Sequence, residues 1–249
     1  MDIPPEVVAT LQASRHVLVL TGSGASAESG VPTFREAQSG LWEQFDPHEL
    51  ATPEAFLRDP ALIWRWYRWR RELVAGVQPN AGHVALARLA DLVPKLTLIT
   101  QNVDGLHQRA GSRDVVEFHG NLFENRCFAE GSVVTDGNMG AEVPVCPACG
   151  GNLRPGVVWF GEAIPPQALE VAGAASAACD VFLSIGTSSL VWPAAGLAEA
   201  AAETGATVIE INPDPTPLSC RSHYCLQGKS GEILPELVSS LYVYKELRP

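Results

Sequence analysis

The 249-residue sequence has no lysine-rich run, and its basic side chains are outnumbered: 17 Lys and Arg stand against 28 Asp and Glu, a formal charge of −11. That balance argues against a groove that tracks nucleic-acid phosphates and against docking on an anionic membrane surface. Small molecules and proteins are the expected partners. The N-terminal sequence shows no cationic segment leading into an apolar run and a small-residue cleavage site, so no signal peptide is expected and a cytoplasmic location follows. A membrane span is equally missing. The longest stretch without a charge, Val181 to Ala198, is interrupted by Gly186, Thr187, Ser188, Ser189 and Pro193 and reads as a strand and a turn. Six cysteines in a chain of this length and compartment are thiols or metal ligands rather than a disulfide framework. Internal repeats and low-complexity tracts are absent.

What the sequence does contain is a hydrophobic fraction of 46%, and a chain of this size buries roughly 70–75% of its unfolded surface. Four short β-branched runs end in small or polar residues: His16–Gly22, Leu96–Gln101, Asp180–Gly186 and Ala206–Asn212. Alanine-rich helical stretches, Ala168–Ala178 and Ala194–Thr204, lie between or beside them. Continuous apolar strands separated by helices require a parallel sheet covered on both faces, so the predicted class is α/β, a Rossmann-like doubly wound sheet. Ligands bind such sheets beyond the carboxyl ends of the strands. The tryptophan- and arginine-rich region 40–80 and the Gly-, Pro- and Cys-rich region 126–161 break the strand–helix rhythm and are predicted to form a smaller inserted part. The larger part then comprises about 7–39, 81–125 and 162–249, within one domain spanning 1–249.

Five motifs carry chemistry. Gly22-Ser-Gly-Ala-Ser-Ala-Glu-Ser-Gly30 follows the first strand and offers bare backbone N–H groups to a pyrophosphate, although a tight turn has the same composition. The continuation Val31-Pro-Thr-Phe34-Arg35 adds an aromatic and an arginine able to cover and clamp a nucleotide. In Thr100-Gln-Asn-Val-Asp-Gly-Leu-His107, Asn102 and Asp104 supply the donor and acceptor that a carboxamide needs, or else form an Asx turn. His119, before Gly120, is either a proton acceptor beside a close-approaching ligand or a structural histidine. Cys146-Pro-Ala-Cys149 has zinc-knuckle spacing with Cys127 upstream, but Glu130 stands where the fourth thiol belongs. Tyr67 and Arg70 fall at i, i+3 of a helical segment, where they can grip a carboxylate or simply pack on tryptophan. Cys179, Cys220 and Cys225 read as core residues.

Taken in order, Gly22–Arg35, Thr100–His107, His119-Gly120, the cysteine module, Val157-Val-Trp-Phe-Gly-Glu162, Gly186-Thr-Ser188 and Asn212 closely resemble the sirtuins, from about residue 15 to residue 240. The resemblance implies an NAD-dependent protein-lysine deacylase of bacterial type with a Rossmann-like domain and a small domain bearing a degenerate zinc ribbon. It assigns Gly22, Ser23, Gly24, Ser26, Glu28, Phe34 and Arg35 to the loop that wraps NAD. Gln101, Asn102, Val103 and Asp104 would hold the nicotinamide and its ribose. Gly186, Thr187, Ser188, Asn212, Pro213, Asp214 and Ser230 would hold the adenosine half. His119 would be the general base, and Val158, Phe160 and Gly161 would pair with the backbone of an acyl-lysine protein substrate. Cys127, Cys146 and Cys149 would ligate zinc with Glu130 in place of the fourth cysteine. Tyr67, Arg70 and Thr33 match the class III branch, which implies removal of succinyl and malonyl groups, with acetyl removal retained to some level, giving nicotinamide and O-acyl-ADP-ribose. A monomer is expected. Mono-ADP-ribosyl transfer and a weakly active NAD-binding scaffold are the competing activities for the same fold.

Overall fold

The computed structural model describes residues 3–32 and 50–246. Strands β1 (Val17–Thr21), β2 (Leu96–Thr100), β3 (Val116–Glu117), β6 (Val181–Ile185), β7 (Thr207–Asn212) and β8 (Tyr224–Gln227) form one sheet. Their order is β3-β2-β1-β6-β7-β8, with every pairing parallel. β1 and β6 are buried along their whole length, which is why VLVLT and VFLSI read as unbroken apolar runs rather than alternating ones. Single-turn helices α2 (Gly24–Ala27) and α6 (Leu106–Arg109) come after β1 and β2. Successive strand residues still face opposite layers. Val17 and Val19 pack with helices α1 (Pro5–Ala13), α5 (Ala81–Leu92) and α9 (Ser230–Glu246), whereas Leu18 and Leu20 pack with α7 (Pro166–Ala178) and α8 (Gly196–Glu203). Ala168, Ala172 and Ala175 of α7 and Ala198 and Ala201 of α8 are the buried small side chains on that second face. The four predicted strands are thus found within a residue of their expected ends. β3 and β8 are additions that the sequence reading lacks, because two- and four-residue edge strands have too few side chains to show a period.

A third cluster lies apart from the sheet. Helices α3 (Pro53–Arg58) and α4 (Pro60–Gly76) pack on the antiparallel pair β4 (Gly120–Cys127) and β5 (Leu153–Val157), burying Phe56, Trp64, Trp66, Tyr67, Leu122, Leu153 and Trp159. Thr52 and Asp59 start the two helices by accepting from Ala55 N at 3.1 Å and Leu62 N at 2.9 Å. Arg71 fastens α4 to β4 through Leu122 O at 2.7 Å and Glu124 O at 3.0 Å. The five large aromatics each remove about 150–250 Å² from water, which makes them the principal apolar anchor of this unit. The boundary expected near residue 126 falls inside β4, but the packing changes earlier: Phe118, just before the strand, belongs to a sheet-side cluster and Leu122 to this one. Gly120 is the pivot between them. Its φ is +77°, and a Cβ there would collide with the Gly156 carbonyl oxygen. This glycine lets β5 approach, not a ligand, which corrects the reading of its place beside His119.

Candidate active site

The strand order reverses between β1 and β6, and the register sets Thr21 level with both Thr100 and Ile185. Gly22, Gln101 and Gly186 therefore emerge together at one crevice, with Asn212 beside them because Ile185 pairs with Ile211. Gly22 N donates to Ile185 O at 3.0 Å and Gly24 N to Gly186 O at 2.8 Å, so these two amides knit the loops together rather than standing bare. A Cβ on Gly24 or Gly186 would strike the other loop's backbone, and Gly186 holds a φ of +58°. The glycines thus serve first to bring the two loops into contact. Ser23 remains exposed at the rim, with Thr187 buried and Ser188 half-buried opposite.

Inside the crevice the polar residues form one network. Ser26 Oγ donates to Asp104 Oδ2 at 2.7 Å and accepts from Asn102 Nδ2 at 3.1 Å; Asn102 also donates to Gly22 O at 3.0 Å. Leu106 N donates to Asp104 Oδ1 at 2.9 Å, so the Asx turn and the clustered site are the same structure. Gln101 Nε2 donates to Thr187 Oγ1 at 2.9 Å and Asn212 Nδ2 to Thr187 O at 3.1 Å, joining the ends of β2, β6 and β7. Val103 O accepts from Leu122 N at 2.8 Å. Pro213 O accepts from Gln227 Nε2 at 3.0 Å, and Asp214 is exposed. Glu28 and Ser230 are occupied with each other: Glu28 Oε2 accepts from Gly231 N at 2.7 Å and Ser230 Oγ at 3.5 Å, capping α9. Phe34 and Arg35, like Thr33, lie outside the described residues. Buried amides, hydroxyls and a carboxylate gathered at a topological switch point fit a dinucleotide bearing a carboxamide.

Sequence reasoning missed two residues of this network. His83 accepts from Asn80 N at 3.3 Å through Nδ1, so its Nε2 carries the proton and faces Ser26 Oγ at 3.3 Å. His107 Nε2 meets Thr21 Oγ1 at 2.9 Å, and its ring lies 4.7 Å from that of His83. Burial lowers the pKa of both; the effect is helped at His107 by the neighbouring His83, and His107 falls to about 3. The legible signal was Asn80-x-x-His83, a capping pair at the start of α5.

His119 sits between this network and the small unit. Its Nδ1 lies 3.0 Å from Gln101 O, and a carbonyl only accepts, so Nδ1 bears the hydrogen and Nε2 keeps its lone pair. Burial lowers its pKa against the opposing pull of the Gln101 carbonyl, which keeps the ring neutral and basic near pH 7. The segment after β5 is tied to the same place, with Val158 N donating to His119 O at 2.8 Å and Phe160 N to Ala51 O at 2.9 Å. These N–H groups are therefore spent within the chain. Gly161, with φ +85°, follows at an exposed position.

Tyr67 is buried in the small unit, and burial pushes its phenol pKa up. Arg70, one helical turn on, is half-buried with its guanidinium 5.0 Å from the Trp66 ring centre and 5.7 Å from that of Tyr67. Burial draws its pKa down, while Tyr67 and Asp104 act to favour the cation. The guanidinium thus packs on tryptophan and feels the charge of the crevice carboxylate Asp104. Among the described residues it has no hydrogen-bond or ion-pair partner.

The cysteine module gathers Cys127, Glu130, Cys146 and Cys149 with their ligand atoms all within 4.8 Å of one another. Cys127 Sγ and Cys149 Sγ are 3.4 Å apart, and backbone N–H groups of Cys149 and Ala148 point at Cys146, holding its thiol pKa down. Tetrahedral zinc with Zn–S bonds near ~2.3 Å needs donors packed this closely. The donor set of three thiolates and one carboxylate fits the ion. Of the remaining cysteines Cys179 is buried, but Cys220 and Cys225 are exposed, a correction that follows from their place in a surface turn and on the edge strand β8.

Comparison with known proteins gives this arrangement its lineage. The model of the Sir2 family matches residues 22–193. NAD-dependent protein deacylase 1 of Pseudomonas aeruginosa is 51% identical, over 93% of this chain and 96% of its own length. NAD-dependent protein deacylase of Methylococcus capsulatus is 47% identical over 97% and 98%. Among solved structures, a Sir2 homologue in complex with NAD superposes with a TM-score of 0.92 at 44% identity, covering 97% of this chain and 95% of that one. A Sir2–p53 peptide–NAD+ complex superposes with a TM-score of 0.86 at 30% identity, covering 98% and 100%. With a family model across most of the chain and relatives near half identity along nearly all of it, the chain belongs to the Sir2 family.

Proposed function

We propose that this protein is an NAD-dependent protein-lysine deacylase whose acyl pocket takes succinyl and malonyl groups, with acetyl removal retained to some level. The observation that carries the acidic preference is the half-buried Arg70 guanidinium, which no described residue pairs, one turn from the Tyr67 hydroxyl. A cation in an enclosed site without a counter-ion is costly, and a substrate carboxylate held by the guanidinium fork and a phenol would satisfy it. The deacylase reaction is supported by the relatives' names and by the neighbours crystallised with NAD and with a peptide.

Bound NAD would supply an activated ribose carbon that exchanges nicotinamide for the acyl oxygen. Gln101, Asn102, Val103 and Asp104 would orient the carboxamide and ribose; Gly22, Ser23, Gly24, Ser26, Gly186, Thr187, Ser188, Asn212, Pro213 and Asp214 would line the remainder, with Phe34 and Arg35 over it. Glu28 and Ser230 would act by fixing α9 against that loop. His119 Nε2 would take a proton from a ribose hydroxyl, its ring held by the Gln101 carbonyl. Val158, Phe160 and Gly161 would present carbonyl groups and the Gly161 amide to the substrate backbone, given that the other two amides are already bonded. Cys127, Cys146, Cys149 and Glu130 would hold a structural zinc. The reading further takes the protein as a cytoplasmic monomer acting on acyl-lysine proteins.

The test is mass-spectrometric product analysis with NAD and matched acetyl-, malonyl- and succinyl-lysine peptides. Wild type should yield O-succinyl-ADP-ribose, and Arg70→Met should cut succinyl turnover at least ten-fold, the loss of one charge-assisted contact of about 1.5–3 kcal/mol, while acetyl turnover persists. Equal loss of both acyl activities would end the acidic-acyl reading. No acyl removal despite NAD binding would end the deacylase reading as well.

A further inference from the structure

The site described so far uses Tyr67 as a second donor to an acyl carboxylate, but a phenol can equally accept, and nothing in its own chemistry decides which way its proton points. Trp159 decides it. The indole N–H is a donor without an acceptor lone pair, and Trp159 Nε1 lies 2.8 Å from Tyr67 Oη. The bond therefore occupies an oxygen lone pair and leaves the Tyr67 proton free to be donated elsewhere. Among the described residues that hydroxyl has no acceptor.

Trp159 is itself held on all sides. The Arg154 guanidinium lies 3.5 Å from its ring centre, the Phe56 ring packs against it at 5.4 Å and a 41° tilt, and its backbone N donates to Glu162 Oε2 at 2.8 Å. Arg154 closes the frame by pairing both carboxylate oxygens of Glu162 and donating to Val157 O at 2.7 Å. The indole is 2% exposed and has no room to turn its N–H away. One rigid frame thus carries the segment 158–161 and aims the Tyr67 hydroxyl.

We infer that Trp159 is a specificity-positioning residue: its indole N–H forces the Tyr67 hydroxyl to act as a donor, so that Tyr67 and Arg70 together favour an acyl group ending in a carboxylate. This rests on the proposed preference for succinyl and malonyl groups and names a residue through which that preference works. An acetyl group offers no acceptor at that end, so acetyl turnover should be indifferent to the hydroxyl's direction.

The experiment is steady-state kinetics with matched succinyl- and acetyl-lysine peptides for wild type, Trp159→Phe, Tyr67→Phe, the double variant, and Arg70→Met. Trp159→Phe keeps an aromatic ring and removes the N–H. It should raise KM for the succinyl peptide about five-fold, the worth of one neutral hydrogen bond, with kcat and acetyl KM unchanged. In the Tyr67→Phe background the same change should have no further effect on the succinyl peptide. Equal losses on both peptides, a succinyl effect that persists without the hydroxyl, or no effect at all would each overturn the inference. If Arg70→Met abolishes the difference between the peptides while Trp159→Phe does not change it, the acyl preference stands and only the role of Trp159 falls. If Arg70→Met leaves the difference intact, the preference itself falls and this inference with it.

Discussion

At the scale of single residues, hydrogen-bond polarity determines more than proximity does. His119 shows this most plainly, because a carbonyl partner at Nδ1 leaves Nε2 as the only basic atom, and burial lowers the ring's pKa below its ordinary value. A base must be unprotonated to work, and a lowered pKa keeps it so at more acidic pH. The acidic limb of the kcat/KM profile should therefore have its midpoint below ~6.5, the ordinary histidine value. His119→Ala should lower kcat about 10²- to 10⁴-fold while NAD binding, followed by calorimetry, persists. A midpoint at or above the ordinary value would assign the base to another group. The same logic makes Ser26 a relay: it donates its single proton to Asp104 and accepts from Asn102, with His83 Nε2 beside the same oxygen.

At the scale of elements, the informative unit is the β4–β5 pair with its cysteine module. Cys127 closes β4, Cys146 and Cys149 come from the loop before β5, and Glu130 comes from the turn after β4, so a bound ion would clamp the loops that neither strand orders by itself. Metal binding is folding energy when the site exists only in the folded state. Chelation is expected to lower the melting temperature measured by circular dichroism. Exchanging the carboxylate for a fourth thiolate, Glu130→Cys, should slow zinc loss to a chromogenic chelator and strengthen the sulfur-to-metal absorption of the cobalt-substituted protein. Unchanged release and spectrum would show that Glu130 is not a ligand. Gly120 belongs to this scale too, since its left-handed φ and its contact with Gly156 let β5 reach β4 beside His119.

At the scale of the whole molecule, the crevice is built by burying neutral histidines between the α5 layer and the sheet. His107 is the extreme case, with a pKa of about 3 against 6.5 for the unfolded chain, and its Nδ1 is buried without a partner among the described residues. Between those two values the unfolded state binds a proton that the folded state refuses, so stability falls as pH drops through the window and is unaffected above 6.5. The slope for one such group approaches about 1.4 kcal/mol per pH unit. Melting temperatures between pH 7 and pH 5 should fall for wild type and fall less for His107→Gln. Parallel curves would mean that other groups dominate acid unfolding.

The sequence by itself determined the sheet. Strands buried on both faces must be apolar throughout, so β1, β2, β6 and β7 could be read with their ends, and the residues after each end could be named as a site because parallel strands deliver them to one edge. The family resemblance was legible for the same reason, as motifs in a fixed order. Only the tertiary structure decided what those residues do for one another. Gly22 and Gly24 gave their amides to the neighbouring loop, Glu28 went to the start of α9, and His83 and His107 entered the network although the sequence assigned neither a role in it. Direction was equally out of reach, because whether Trp159 donates to Tyr67 or Gln101 accepts from His119 depends on partners 92 and 18 residues away in the chain. Periodicity records which face of an element is buried, whereas long-range hydrogen bonds depend on relative placement of elements that no local pattern encodes.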